Sequence, residues 1–173
     1  MGEMSQVGFS PQGQCETLVA TLISQATQTL DIASFSFTDT VIAQAILAAY
    51  NRGVKLRVVF DKSQTVGTQA QFYDQFEAAG IQVRVGSGID GGIMHWKVTI
   101  ADSHIVENGS FNYTESAQNK NYENVQIHDD PLLASAYTAN FGVIWNAAAP
   151  EPVDLVKRAK EREERLKAFQ PIF

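Results

Sequence analysis

Cysteine is nearly missing from this chain of 173 residues: Cys15 stands alone, and only three histidines accompany it, at positions 95, 104 and 128. A single cysteine rules out a disulfide within the chain. One cysteine with three scattered histidines cannot build a Cys/His zinc cluster, so no structural metal is expected. Long apolar runs are missing too. None approaches the ~20 residues of a membrane span, and Met1-Gly2-Glu3-Met4 lacks the charged start and apolar block of a signal peptide, so the chain reads as soluble. Basic residues are scarce: 13 Lys and Arg against 19 Asp and Glu leave a net charge of −6. That balance argues against a surface broadly adapted to nucleic acid, because sequence-independent binding to phosphates rests on Lys and Arg releasing counterions. Residues 1–150 hold 7 basic and 14 acidic side chains, and residues 151–173 hold 6 and 5. Any basic site in the main body must be small and local.

What is present suits one compact domain, since 45% of the residues are hydrophobic and domains cluster near ~100–150 residues. Its expected extent is residues 6–147. The hydrophobic pattern alternates strands with helices. Gln6 to Phe9 reads as a strand, and Ser10-Pro11 as the start of a helix running through Leu18, Leu22 and Ile23. Leu30 to Phe37 is the next strand, Thr38 or Asp39 an N-cap, and Val41 to Tyr50 a helix ended by Gly53. Val54 to Phe60 is apolar enough for a central strand. Asp61 to Gly67 reads as a loop, Gln69 to Ala79 as a helix, and Ile81 to Val85 as a strand. This rhythm predicts an α/β fold with a mixed, largely parallel sheet covered by helices on both faces. It breaks at "GSGIDGG", Gly86 to Gly92, where four glycines in seven residues suit either a flexible loop beside a site or an ordinary exposed connection. Two extended runs follow, Met94 to Ala101 and His104 to Gly109, at hairpin spacing. Asn124 to His128 is the last strand. Asp130-Pro131 then opens a helix reaching Trp145, which explains the Asp129-Asp130 pair better than metal binding does. Residues 151–170, rich in alternating charge, read as an exposed helical extension.

The segment from Met94 to Asn124, "MHWKVTIADSHIVENGSFNYTESAQNKNYEN", holds the chemistry. In a strand, side chains two apart share a face, so His95 and Lys97 point the same way. With Asp102-Ser103 as a two-residue turn, Lys97 would sit opposite Asn108 and His95 opposite Ser110, with Asn112 just beyond. Gly109 would let the backbone approach a ligand or end the strand in a left-handed turn. An imidazole, an ammonium, a hydroxyl and a carboxamide would then converge. Lys, Ser and Asn can donate to the oxygens of a tetrahedral oxyanion, and His can attack its centre. Chance is a poor explanation, since six specified residue types at ~5% usage would coincide at roughly one start in 10⁷ or more.

"HWKVTIAD" followed after six residues by "GSFN" resembles the H-x-K-x4-D-x6-G-S-x-N signature of the phospholipase D superfamily, and most of all its small bacterial single-motif endonucleases. The resemblance extends through "VGFSPQG", "SFSFT", "NYEN" and "FGVIWN", over residues 7 to about 146. It implies His95 as nucleophile, Lys97 and Asn112 on phosphate oxygens, Ser110 in support and Glu123 as the carboxylate that orients the histidine. Asp102 completes the implied catalytic set, and Ser36, within "SFSFT", joins the implied substrate-binding residues. It also implies no metal cofactor and a homodimer whose two motifs form one active site. Trp96 is bulkier than the residue expected between His95 and Lys97, and either alters substrate access or packs on the opposite face.

A dimer has a physical argument of its own. Cleavage through a phosphohistidine needs a second group to protonate the leaving oxygen and then activate water. His104 lies near 20 Å from His95 along the hairpin at ~3.4 Å per residue. His128 stays open, yet a two-fold axis bringing a second His95 opposite the first needs no further residue. The segment from Ser110 to Tyr113 would then be buried at the interface. Two Lys97 in one cleft would supply local positive potential on an acidic protein. The expected activity is a metal-independent phosphodiesterase acting on DNA or RNA with little sequence preference. The alternatives are a phospholipase, for which "GIDGGIM" offers a faint apolar entry, and a non-catalytic module binding nucleic acid or an anion. The expected compartment is the periplasm or the exterior, as for the relatives it resembles, with the cytoplasm as alternative.

Overall fold

The structure is a computed structural model and describes residues 5–11, 13–65, 70–148 and 164. The extension expected over residues 151–170 lies outside the described residues, apart from Glu164. Seven strands and five helices follow in order: β1 (Ser5–Ser10), α1 (Gln14–Gln25), β2 (Thr29–Ser34), α2 (Thr40–Asn51), β3 (Lys55–Asp61), α3 (Ala70–Ala79), β4 (Gln82–Gly86), β5 (Lys97–Ala101), β6 (Ile105–Gly109), α4 (Glu115–Asn119), β7 (Glu123–Asp129) and α5 (Pro131–Ala147), with a 3₁₀ turn at Lys62–Gln64.

Local chemistry places the boundaries. Asp39 caps α2 by accepting from the Ile42 N–H at 2.9 Å, and Ile42, Ala43, Ile46 and Ala49 form its buried stripe. Asp130 accepts from Leu132 and Leu133 N–H at 2.8 and 3.1 Å, so it is the cap expected at the start of α5. The first helix begins later than expected, at Gln14. Ser10 is still in β1, paired with Glu123, and its hydroxyl donates to the Ala117 carbonyl at 2.7 Å. The five-residue α4, capped by Thr114, was not expected. It is too short to show a hydrophobic period.

The strands form one sheet in the order β1-β7-β6-β5-β2-β3-β4. It is mixed, as the alternation predicts, but its parallel share is smaller than expected. Only β2–β3 and β3–β4 are parallel, where α2 and α3 supply crossovers; β5–β2, β5–β6, β6–β7 and β7–β1 are antiparallel. The three-residue loop between β5 and β6 leaves no room for a crossover. The larger core lies on the face covered by α1, α2 and α3, around Val19, Ile23, Ile46, Phe37, Phe60 and Phe76. On the opposite face α5 buries Ala134, Phe141 and Trp145 over Val59, Val98, Ile100 and Val106. The glycine-rich loop is ordered by bonds from Gly88 N–H to the Gly92 carbonyl and from Gly92 N–H to the Ile89 carbonyl. No helix among the described residues is long and apolar enough to cross a membrane.

Candidate active site

The β5–β6 hairpin sets the site, and its register differs from expectation by one residue. Val98 pairs with Asn108 and Ala101 with Ile105, so the loop is three residues long and Lys97 is brought level with Gly109. The expected partners, Lys97–Asn108 and His95–Ser110, do not form. Asp102 and Ser103 both take left-handed φ values of 53° and 54° and the His104 N–H closes on the Ala101 carbonyl at 3.0 Å, but the ladder resumes only at Ile105, leaving His104 as an extra residue. Such slips move side chains between faces.

His95 is exposed and precedes β5, with its ring 4.7 Å from that of Phe35. Lys97 is 6% exposed. Its ammonium donates to the His95 carbonyl at 2.9 Å and lies 5.0 Å from the Phe35 ring centroid. Burial lowers the Lys97 pKa, and the nearby Glu123 carboxylate partly restores it. Such an ammonium, short of water, gains from any anion that reaches it. On the neighbouring strand ends, the Ser110 hydroxyl donates to Glu123 Oε2 at 2.5 Å and accepts from Asn124 N–H at 3.1 Å. Asn121 donates to Glu123 Oε1 at 3.1 Å. Asn112 holds a buried Oδ1 with no hydrogen-bond partner. Ser36 sits just past β2, where the Phe35 N–H bonds the Trp96 carbonyl at 2.8 Å. Its carbonyl accepts from Ser34 at 3.1 Å. His95, Lys97, Ser110 and Glu123 thus gather at one end of the sheet.

Four expectations need correction. Asp102 is not in this cluster. It stands at the far end of β5, about 17 Å from Lys97 at ~3.4 Å per residue. There its carboxylate accepts from the N–H groups of Thr27, Gln28 and Thr29 and from the Thr27 hydroxyl, at 2.7–3.2 Å. Burial pushes its pKa up, but these backbone bonds prevail and lower it. Asp102 clamps the hairpin turn to the α1–β2 connection. Secondly, Glu123 makes no hydrogen bond to His95; its oxygens meet Ser110 and Asn121 instead. Thirdly, Phe111 and Tyr113 are fully buried in the chain's own core and cannot face a partner. Fourthly, Gly109 makes room for the neighbouring strand and not for a ligand, since a Cβ there would fall 2.1 Å from the Asn124 carbonyl oxygen.

The other histidines lie elsewhere. His104 pairs with Asp129 at 2.6 Å beside the turn. His128 lies level with Val106 on β7, three residues further down the sheet than Lys97, and its ring nitrogens meet Ser5 and Gln126. Among the described residues no group of three or more His, Cys, Asp or Glu side chains is arranged to hold a metal ion.

Three features escaped the sequence reading. Phe35, in the alternating "SFSFT", supplies the ring beside both His95 and Lys97. Asp61, buried at the end of β3, accepts from the Met94 N–H at 2.6 Å and from the Ser63 hydroxyl at 2.5 Å, fixing the backbone that enters His95. Beneath Lys97, the Tyr113 hydroxyl donates to Glu107 Oε2 at 2.5 Å and meets the Thr99 hydroxyl at 2.7 Å. Burial pushes the Glu107 pKa up to about 8, against the opposing pull of the Tyr113 and Thr99 hydroxyls. No hydrophobic period reveals a carboxyl of this kind.

Residues 19–145 match the family described as cardiolipin synthase, PLD-like domain. The chain is 37% identical to a mitochondrial cardiolipin hydrolase of Chlamydomonas reinhardtii over 72% of its own length and 54% of the relative's. It is 33% identical to a phospholipase D of Rickettsia prowazekii over 77% of its own length and 63% of the relative's. It therefore spans between about half and two thirds of these relatives. Among solved structures, it is similar to Nuc, a phospholipase D family member from Salmonella typhimurium, with TM-score 0.82 and 33% identity, covering 86% of this chain and 97% of that one. NucT from Helicobacter pylori matches with TM-score 0.79 and 25% identity, over 86% and 99%.

Proposed function

Because the chain belongs to the cardiolipin synthase, PLD-like domain family, we propose that it is a metal-independent phosphodiesterase that cleaves DNA or RNA with little sequence preference. The observation that carries this reading is the pairing of an exposed imidazole, His95, with the desolvated ammonium of Lys97 two residues away. A phosphodiester oxygen on the Lys97 ammonium, beside the Ser110 hydroxyl that Glu123 holds, brings phosphorus to the imidazole. His95 attacks, a P–N bond forms, and the P–O bond to the leaving alcohol breaks. Water then attacks phosphorus, the P–N bond breaks and His95 is regenerated. The leaving oxygen needs a proton, and the placement of His104 and His128 supports a donor from a second copy. The partner subunit's His95 would give that proton and later take one from water.

Nucleic acid is preferred as substrate because the fold overlaps nearly the whole of Nuc, whereas the lipid-named relatives extend well beyond the matched region. A lipid substrate is the second reading, favoured by Ile89 and Ile93, 88% and 48% exposed on the loop entering the motif. An assay in excess EDTA on plasmid, single-stranded DNA, RNA, and phosphatidylcholine or cardiolipin vesicles separates them. Nucleic acid cut despite EDTA is the expected result; turnover of lipid alone establishes the second reading. His95→Ala should abolish turnover with the fold intact, and activity within about threefold of wild type would refute the nucleophile. Excess His95→Ala should also suppress wild-type activity once subunits exchange, whereas simple additivity would exclude a shared site.

A further inference from the structure

On the α5 face of the sheet, a cavity of about 520 Å³ adjoins the strand end that carries His95 and Lys97, bounded by Trp96, Asn108, Tyr137 and Asn140. Its size falls in the ~300–1,000 Å³ range of small-ligand sites. The chemistry of phosphoryl transfer uses none of these four side chains. The Trp96 and Tyr137 rings meet at 63° with centroids 5.5 Å apart, so the wall is a wedge of two aromatic surfaces. Asn108 donates from Nδ2 to the Tyr137 hydroxyl at 2.7 Å, which fixes both side chains. It leaves the Asn108 carbonyl oxygen to accept and the Tyr137 hydroxyl proton to donate. Asn140, four residues after Ala136 on the same face of α5, adds an exposed carboxamide.

We infer that this cavity is the subsite for a nucleobase flanking the scissile phosphate, stacked on Trp96 with the Tyr137 ring closing one side, and met along its edge by Asn108 and Asn140. The inference rests on the nucleic-acid reading above. It also resolves a difficulty in that reading. Residues 1–150 carry twice as many acidic as basic side chains, and among the described residues Lys97 is the one cationic residue lining the cavity, so phosphate contacts alone give little affinity. Base stacking supplies affinity that does not depend on cationic charge. It is also tolerant of sequence, because every base has a π-face. Carboxamides are both donors and acceptors and can serve any base edge. An acyl chain in the same place would strand these polar groups against hydrocarbon, which is unfavourable.

The test uses two probes of equal length, a (dT)12 oligonucleotide and a base-free 12-mer of tetrahydrofuran phosphates. In the His95→Ala protein, (dT)12 should quench tryptophan fluorescence and the base-free oligomer should not. The quench should vanish on adding Trp96→Phe, which leaves Trp145 as the other tryptophan. In active protein, the ratio of kcat/KM for (dT)12 over the base-free oligomer should fall about 5- to 150-fold with Trp96→Ala, the span of one stacked base. Trp96→Phe should retain most of the ratio. An unchanged ratio in Trp96→Ala, or equal quenching by the base-free oligomer, overturns the subsite. So does quenching by cardiolipin vesicles where (dT)12 gives none, which would make the cavity a lipid site. Quenching by (dT)12 in a wild-type protein that cuts no oligonucleotide supports the subsite and removes the hydrolase reading instead.

Discussion

Glu107 is fully buried beneath the candidate site, so its ionisation should be visible in the stability of the whole domain. The perturbation is Glu107→Gln, which keeps the shape of the neutral acid and removes its charge. The folded pKa of about 8 lies above the ordinary 4.5, because burial disfavours the carboxylate. The folded chain therefore holds a proton that the unfolded chain has released between those values. Stability from this group is complete below about pH 4.5, falls as pH rises, and is gone above about pH 8. Between pH 5 and pH 8 the loss is on the order of 3–4 kcal/mol, or a fall in Tm of roughly 6–16 °C for a chain of this size. Cys15, whose own pKa is raised above the ordinary 9.0 first by its burial and in part by Glu107, stays a neutral thiol throughout this range. Differential scanning calorimetry at half-unit intervals of pH gives the slope, and Glu107→Gln supplies the control for every other titrating group. The variant should be markedly flatter over pH 5–8. Parallel slopes in the two proteins would refute the reasoning.

Three further outcomes follow from the geometry. Asp102→Ala should cost roughly 1–3 kcal/mol in urea denaturation, because four donors around Thr27 to Thr29 lose their acceptor. Turnover per folded molecule should largely survive; abolished turnover at unchanged stability would return Asp102 to the chemistry. With its pKa lowered, the stability it adds is present above the unfolded value near 3.8 and disappears as pH falls through the folded one. Gly109→Ala should lower both Tm and activity, since its Cβ collides with backbone that cannot swing aside; wild-type values for both would exclude the close approach. Lys97→Ala should reduce the rate by about 10² or more with Tm within a few degrees, the loss expected of an oxyanion contact.

The alternation of apolar residues made most of the fold legible, because crossover helices and buried strands repeat on different periods. Cap chemistry at Asp39 and Asp130 placed two helix starts to within a residue. The hairpin register was not legible. Consecutive left-handed residues, as at Asp102 and Ser103, also close two-residue loops, so the turn does not reveal whether the ladder resumes at His104 or at Ile105. That single step displaced Ser110 from the expected partner of His95, yet it reaches the site through Glu123. The roles of Asp102 and Gly109 were misread for another reason. Spacing in a motif shows that a residue is required, but not whether chemistry or packing requires it. Asp61, Glu107 and Phe35 were invisible because each contributes through partners distant in sequence.

The sheet order has a consequence for synthesis on the ribosome. Of the seven described strands β1 emerges earliest and pairs with β7 alone, and Ser5 reaches His128 across 123 positions. At ~5–20 residues per second, on the order of ten seconds pass before that partner emerges. During that interval the backbone N–H and C=O groups of β1 that later meet β7 are unpaired. β7 also begins with Glu123, so the strand that ends the wait delivers the carboxylate that receives Ser110. Closure of the sheet and completion of the candidate site are therefore one event, and it waits for the last of the seven described strands.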